Sequence, residues 1–455
     1  MAIDYIKPSL ANRLPLYKQI DDAIGGWLSV VGAKALYLPK QPSENDTKYA
    51  ARHALATYVD FYNPTIDGIK GALLKEGVKL EDDVPDQLIE WLENADQTGN
   101  HFDVLINDFV DIALNKAVSF ALIDMPKGEV ANRNDEIQQG IRPYIKIINP
   151  EDITSFKTTI VNGQITLSQV KIREYHEEDT DEYATETVIK YRVLTVGAWE
   201  LFDDKGNSLD NGTNTLNFIP LVCLNLENKS FFEGNPLYYD LFRLNIRHYQ
   251  TLSDASYAAH IASVPFYFGS GIDKDEVKNL AISPNTFFAT HNPDADIKII
   301  DYDGKGVAVC QTINTELEKQ MHAIGFSVVM ESKEMTATET RLAYGQKQSK
   351  LNTYAILLRD AIENIFKMMA IMGGLGNDGG SVKIDSDILR SPLDAQQFTT
   401  LVNAVNSGFI SYETGWNMIL SGKLELPADF APDAELEKIN SDGLLNDTRT
   451  TTSDN

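Results

Sequence analysis

Residues that could do catalytic chemistry are present but do not form a recognisable site. The glycine-rich stretch 373–381, GGLGNDGGS, lacks the lysine of a phosphate-binding loop, so it predicts a helix stop and a turn. Residues 301–304, DYDG, match the start of a calcium loop but lack its later ligands and closing glutamate, which favours a turn. No HExxH or GxSxG motif occurs. We therefore expect no enzyme activity, no cofactor and no bound metal.

The histidines show no metal-ligand spacing. They lie apart in the sequence, at His53, His101, His176, His248, His260, His291 and His322. His248 falls on an apolar helical stripe, which predicts a packed or interface histidine rather than a metal ligand.

Composition narrows the class of protein. The 455-residue chain has 40 Lys+Arg against 66 Asp+Glu and a net charge of −26, with no basic block, so it should not bind nucleic acid by neutralising phosphates. Two cysteines give no disulfide framework, and no apolar run is long enough to span a bilayer. The N-terminus lacks the apolar core of a signal peptide. These features predict an intracellular protein without a membrane segment.

The elements that would position any site fall into helical and β-rich regions. Residues up to about 121 have apolar side chains at helical spacing, as in Ile66, Ile69 and Leu73. From about 140 to 226, β-rich runs alternate with Asn-Gly and Asp-Lys-Gly-Asn turns, which predict hairpins. The fold class predicted from this order is α+β.

Three long helices are predicted in the second half of the chain. One begins at Asn235-Pro236 and ends before Pro265, and a second extends from 307 to 330. After a break at 331–335, the third extends from Thr336 to Met372. Its apolar stripe begins only at Leu351, so its first half has little to bury within one chain. A short section at 264–306 has strand-like ends, and the acidic tail 431–455 is predicted to be disordered.

The order of these segments resembles the phage portal proteins, in the style of the portal family described in many phage genomes only as a domain of unknown function. The resemblance covers roughly residues 30–375 and is carried by YLPKQPSENDTKYAARHALATYV, TIDGIKGALL, ALNKAVSFALIDMP, FIPLVCLN, GNPLYYDLFRLNIRHYQTLSDASYAAHIASVPFYFGSG and TATETRLAYGQKQSKLNTYAILLRDAIENIF. At Ala117-Val118-Ser119 the chain departs from the glycine that related chains tend to have there.

The resemblance implies a portal fold with an α/β wing, long stem helices, a small clip, a tunnel loop and a long core helix. The implied segments are the N-terminal helices and β-rich wing at 1–230, stem helix 1 at 231–263, the clip at 264–306, stem helix 2 at 307–330, the tunnel loop at 331–335, the core helix at 336–374 and a return to the wing or crown at 375–430. Residues implied to form the DNA-facing tunnel loop are Glu331, Ser332, Lys333, Glu334 and Met335. Residues implied to pack the stem and its subunit contacts are Leu237, Leu241, Leu244, His248, Leu252, Ile313, Leu317, Met321 and Ile324.

The resemblance also implies partners. Portal proteins form a ring of twelve subunits at one capsid vertex, through which double-stranded DNA passes without sequence-specific binding. The implied partners are therefore further copies of this chain, DNA, the terminase, the major capsid protein and a head-tail adaptor. Assembly would take place in the host cytoplasm and the product would be part of the virion.

Two other classes of protein remain open from sequence alone. An acidic hydrolase would need an ordered pocket with a perturbed carboxylate pair, and a helical oligomeric scaffold would have no DNA role. The break at 331–335 is also compatible with an ordinary interhelix loop. Taken alone, Lys333 is better explained as a solvated surface lysine than as a DNA contact.

Overall fold

In the computed structural model of the chain, the described residues are 3–126, 128, 139–181, 183–227, 230–263, 266–270, 294–300, 305–324, 337–385, 395–407, 409 and 415. Helices and strands both contribute large parts of this structure, which confirms the predicted α+β class. The α-helices are α1 (Pro8–Ala11), α2 (Leu14–Ile24), α3 (Gly26–Gly32), α4 (Asp46–Ala54), α5 (Tyr62–Leu73), α6 (Asp86–Leu92), α7 (Phe102–Lys116), α8 (Tyr239–Ala262), α9 (Lys305–Ile324), α10 (Ala337–Met372) and α11 (Ala395–Asn406).

The strands form four antiparallel sheets among the described residues. They are β1 (Val78–Leu80), β2 (Val118–Asp124), β3 (Tyr144–Ile148), β4 (Ile153–Val161), β5 (Gln164–Asp181), β6 (Ala184–Thr195), β7 (Ala198–Phe202), β8 (Ser208–Thr213), β9 (Leu221–Asn225), β10 (Phe266–Ser270), β11 (Asp296–Ile300) and β12 (Val382–Ile384). The sheet orders are β1-β12, β10-β11, β3-β2-β9 and β4-β5-β6-β7-β8.

Strand β2 separates two hydrophobic cores. Successive side chains of a strand point to opposite faces, so Ala121 and Ile123 join the larger core while Phe120 and Leu122 join the smaller one. The larger core lies among the N-terminal helices, α8 and α10, and the smaller one lies against the five-stranded sheet. Because β2 is buried on both faces, it connects the helical and sheet parts of the molecule.

The prediction that the helical region continues to about residue 121 is wrong at its C-terminal end. Helix α7 ends at Lys116, and Ala117 has a left-handed φ of 69°, which turns the chain into β2. The strand then pairs with β3 and β9 on its two sides. An alanine at this position gives no sequence signal of a helix end, because glycine is the residue that usually marks it.

The β-rich region has its predicted hairpins and two strands that the sequence reasoning did not identify. Strands β3, β5, β6, β7 and β9 overlap the predicted β-rich runs, whereas β4 and β8 were not predicted. Strands β1 and β2, in the region predicted to be helical, were not predicted either. The turn between β4 and β5 is Asn162-Gly163, with both φ values positive. Such a turn matches the right-handed twist of a hairpin, which is why Asn-Gly was a reliable signal.

Candidate stem, core-helix and channel elements

Helix α8 is the first of the long predicted helices, and its bounds are close to those expected. It begins at Tyr239, three residues after Pro236, and its C-cap is Ser263. The buried side is wider than the predicted stripe, because Phe242, Ile246 and Tyr249 are buried alongside Leu241 and His248. The predicted stripe residues Leu237, Leu244 and Leu252 are half-buried. Helix α8 is therefore held by the body of the protein over most of its length.

Helix α9 packs alongside α8, and only part of its apolar stripe is covered. Leu317 and Met321 are buried, and Met321 belongs to the larger core. Ile313 and Ile324 are 39% and 38% exposed. The described helix ends at Ile324, and residues 325–330 of the predicted second stem helix lie outside the described residues. A subunit contact made by Ile313 or Ile324 stays a prediction.

His248 links the two helices from inside the chain. Its Nε2 atom lies 3.1 Å from Oε1 of Glu318 on α9. The ring of Phe61 lies edge-on to His248 and to His322, with centroid distances of 5.4 Å and 5.6 Å. Across the described ranges, no group of three or more His, Cys, Asp or Glu side chains is placed to hold a metal ion. His248 is a packed histidine that joins α8, α9 and the segment before α5.

Helix α10 is the longest of the described elements, with 36 residues, or about 54 Å at 1.5 Å per residue. The predicted stripe is buried at all eight positions, which are Leu351, Tyr354, Ala355, Leu358, Ile362, Ile365, Phe366 and Met369. It contacts α5, α6, β2, β9 and β12. The helix ends at Met372, directly before the predicted stop at Gly373-Gly374. Nothing is described of the side chains at 337–347, in its first half.

The elements closest to the predicted channel are only partly described. The tunnel-loop residues Glu331, Ser332, Lys333, Glu334 and Met335 all lie outside the described residues. In the predicted clip, β10 and β11 pair antiparallel from Phe266↔Ile300 to Ser270↔Asp296, as the strand-like ends of that section predicted. Residues 301–304, where a turn was predicted, and the tail 431–455 also lie outside the described residues.

A buried ion pair fastens the N-terminal region to α8. Arg52 of α4 is 2% exposed, and its Nε and one terminal nitrogen contact the two carboxylate oxygens of Glu44 at 2.9 and 2.8 Å. Its other terminal nitrogen lies 3.2 Å from Asp254 of α8. The hydrogen bonds from Arg52 lower the pKa of Glu44 to about 2. Sequence reasoning missed this cluster because its members are separated by up to about two hundred residues.

A second ionic cluster ties the three-stranded sheet to the five-stranded one. Glu174 of β5 accepts hydrogen bonds from Arg192, Lys146 and His176 at 3.1 to 3.2 Å. Arg192 also contacts Asp124 at 3.0 Å, at the end of β2. Burial by itself raises the pKa of Glu174, but the charges of Arg192 and Lys146 together with the hydrogen bonds from His176 and Lys146 outweigh burial, and the pKa is lowered. This carboxylate is therefore held ionised as part of the fold.

The hydrolase alternative would need a pair of carboxylates with perturbed pKa values, and Glu151 and Asp152 are two adjacent carboxylates. Burial raises the pKa of Asp152, while Arg173, 3.1 Å away, opposes that rise. Glu151 accepts a hydrogen bond from the buried Lys116, which also lies 2.8 Å from Asp21. Each carboxylate thus has its own cation, which is the arrangement of a structural ion pair.

A protein family of unknown function matches the region of the long helices. The sequence profile of a family described as a domain of unknown function (DUF4055) matches residues 236–371, from just before α8 almost to the end of α10. No curated protein is significantly similar to the chain.

No helix among the described residues is both long and apolar enough to cross a membrane.

Two solved chains are similar to this one in structure. One is from the neck of an empty GTA particle computed with C6 symmetry, with 11% identity and a TM-score of 0.43, covering 87% of this chain and 98% of that chain. The other is from the virion of a native gene transfer agent (GTA) particle, with 11% identity and a TM-score of 0.43, covering 83% of this chain and 94% of that chain.

Proposed function

We propose that this chain is a structural component of the head or neck of a tailed-phage-like particle, and specifically its portal protein. In this proposal, copies of the chain form a closed ring at one capsid vertex, through which double-stranded DNA enters and leaves. The ring also provides the docking surface for the terminase and for a head-tail adaptor. The protein acts as a conduit, and no reaction is catalysed by it.

The observation that supports the proposal is the order and length of the elements between residues 239 and 372. Helix α8, the β10–β11 pair, helix α9 and the 36-residue helix α10 follow one another along the chain. The portal resemblance implies the same sequence of stem helix, clip, stem helix and core helix. In the proposal, residues 331–335, which lie between the last two of these helices in the sequence, form the tunnel loop.

Net charge is compatible with this role. A channel for DNA must let a polyanion move along it without tight binding, and clustered cations would hold the phosphates. The chain has 26 more acidic than basic residues. In the proposed ring, this excess keeps the DNA backbone from adhering to the protein.

Electron microscopy of the purified full chain tests the proposal directly. Twelve copies of a 50.7-kDa chain have a mass of about 0.6 MDa. Negative-stain images should show rings with a central hole in end-on views, and mass photometry of the same sample should give that mass. A compact dimer under all conditions, with no ring, would contradict the portal assignment and favour one of the other two classes.

A further inference from the structure

The hairpin between β4 and β5 ends in an exposed apolar tip. Ile160 and Ile165 are directly opposed across the hairpin, and they are 71% and 59% exposed. Val161 beside them is half exposed, and the connecting turn is Asn162-Gly163. Isolated exposed apolar side chains are ordinary on protein surfaces, whereas several that lie side by side form a patch that a partner can bury. The two-residue turn fixes the shape of this tip.

A second exposed apolar surface lies at residues 24–36, on α2, α3 and the turn of 3₁₀-helix that follows. Leu28 and Leu36 are 78% and 67% exposed, and Ile24 and Trp27 are also exposed. Among the described Val, Leu and Ile residues, the four most exposed are Leu28, Ile160, Leu36 and Ile165. Among the described residues, the four most exposed of these aliphatic side chains are therefore divided equally between this surface and the hairpin tip.

The hairpin tip contains no charge, and the second surface contains one. Residues 158–169 of the hairpin include no Asp, Glu, Lys or Arg, whereas residues 24–36 include the exposed Lys34. A lysine can keep its ammonium group in water while its aliphatic stem lies along an apolar contact. Burying an unpaired charge is costly, whereas burying aliphatic surface is favourable. Both surfaces are thus suited to contact with apolar side chains, provided that the Lys34 ammonium stays in water.

We propose that the β4–β5 hairpin tip of one copy docks on the residue 24–36 surface of the neighbouring copy. The occupant is a second copy because the chain itself presents two apolar surfaces of matching character on different elements. Two different surfaces that fit each other make a head-to-tail contact, which repeats around a closed ring. The inference rests on the proposed ring function and adds to it the residues that join one subunit to the next.

Site-specific photo-crosslinking tests the contact without removing an apolar side chain from the core. A benzophenone amino acid is placed at position 160 of the full-length protein, and irradiated samples are digested and analysed by mass spectrometry. We expect crosslinks to peptides containing residues 24–36. Mixing ¹⁵N-labelled and unlabelled protein before assembly shows whether each crosslink joins two copies. Crosslinks only within one copy, crosslinks only between two hairpin tips, or no crosslinks at all would each overturn the inference.

A pair of variants gives an independent measurement. The double variant Ile160→Ser, Ile165→Ser should raise the protein concentration needed for half-maximal assembly by roughly tenfold or more, since two exposed aliphatic side chains lose their burial. Leu28→Ser with Leu36→Ser should have a similar effect. The control is Leu209→Ser on β8, a half-exposed leucine outside both surfaces, which should leave assembly unchanged. Assembly that is equally weakened by the control, or unaffected by both double variants, would contradict the proposed contact.

The wild-type protein separates failure of this inference from failure of the portal proposal. Rings in the wild-type images together with no crosslink between position 160 and residues 24–36 would overturn only the hairpin contact. Absence of rings in the wild-type images would count against the portal proposal itself. In that case, crosslinks between copies at these positions would still establish the head-to-tail contact.

Discussion

The buried Arg52 should contribute more to stability than any single exposed ion pair of this protein. Replacing it by methionine keeps an apolar stem of similar length but removes its bonds to Glu44, to Asp254 and to the carbonyl oxygen of Pro39, the last of which is 2.8 Å long. Glu44, whose side chain is almost fully buried, would then keep only the amide of Gln41 as a donor. Leaving a buried charge without its partner costs about 3–5 kcal/mol.

The appropriate assay is hydrogen exchange of the segment from Pro39 to Ala54, because a chain of this length need not unfold in a single step. A loss of 3 kcal/mol corresponds to roughly a hundredfold faster exchange. The matched control is Lys79→Met, which removes an exposed pair with Glu76 at 3.3 Å. Exposed pairs contribute between about 0 and 1 kcal/mol, so the control should change exchange little.

The same cluster gives a pH dependence with a definite sign. The pKa of Glu44 is about 2 in the folded chain against its usual 4.5. A lowered pKa means that the folded state favours the ionised carboxylate, so the stabilisation is complete above about pH 4.5 and is lost as the pH falls towards 2. Protection of residues 39–54, corrected for the intrinsic exchange rate, should decrease across that range in the wild type. It should not do so in Arg52→Met, and equal behaviour of Arg52→Met and Lys79→Met would refute the reasoning.

Gly234→Ala should destabilise the chain by roughly 1–3 kcal/mol, because the new Cβ would lie 2.7 Å from the Cβ of Ala117, and Ala117→Gly should restore part of the loss. Chemical denaturation of both single variants and the double variant measures this, and strictly additive effects would contradict the contact. Leu244→Asp should impair folding or ring assembly, because Leu244 packs against the larger core, and Leu209→Asp is the exposed control. A soluble, fully assembled Leu244→Asp protein would contradict this. Deleting residues 331–335 should leave rings intact but reduce DNA packaging, and normal yields of DNA-filled particles would exclude the tunnel-loop assignment.

Periodicity in the sequence was sufficient to predict the long helices. In α10, the residues that repeat every three or four positions are all buried, from Leu351 to Met369. In a long helix with a regular stripe, many apolar residues support the same helical period. A single residue that departs from this period therefore does not change the prediction of a helix. The glycines at 373 and 374 then fixed its end to within one residue.

Strand β2 shows where the sequence signal fails. A strand buried on both faces is apolar at nearly every position, so its period of two is absent and it is indistinguishable from a continuing buried helix. The preceding helix ends at Ala117 in a left-handed conformation that glycine would have signalled. The close approach of Gly234 to Ala117 shows that the partner at this turn comes from far along the chain.

The ionic clusters could not be predicted because charge pairing depends on tertiary contacts. Arg52 meets Asp254 and Lys116 meets Glu151 only after the helices and sheets have packed. The chain contains 66 acidic residues, so an arginine has many sequence candidates for a partner and no local rule selects one. Geometry determines which carboxylates are buried and ionised, and these clusters join elements that are distant in sequence.

The apolar stripe of α9 connects the fold to the proposed assembly. Periodicity identifies which side chains share a face of this helix, but it does not identify what covers that face. The chain itself buries Leu317 and Met321. In contrast, Ile313 remains 39% exposed, and Val309, one turn closer to the N-terminus of the helix, remains 58% exposed. A helix that keeps its apolar stripe beyond the part covered by its own chain exposes surface that another protein chain can bury. In the proposed ring the neighbouring subunit would cover it, so Val309 and Ile313 should become protected from solvent on assembly while Glu316, on the same helix, should not.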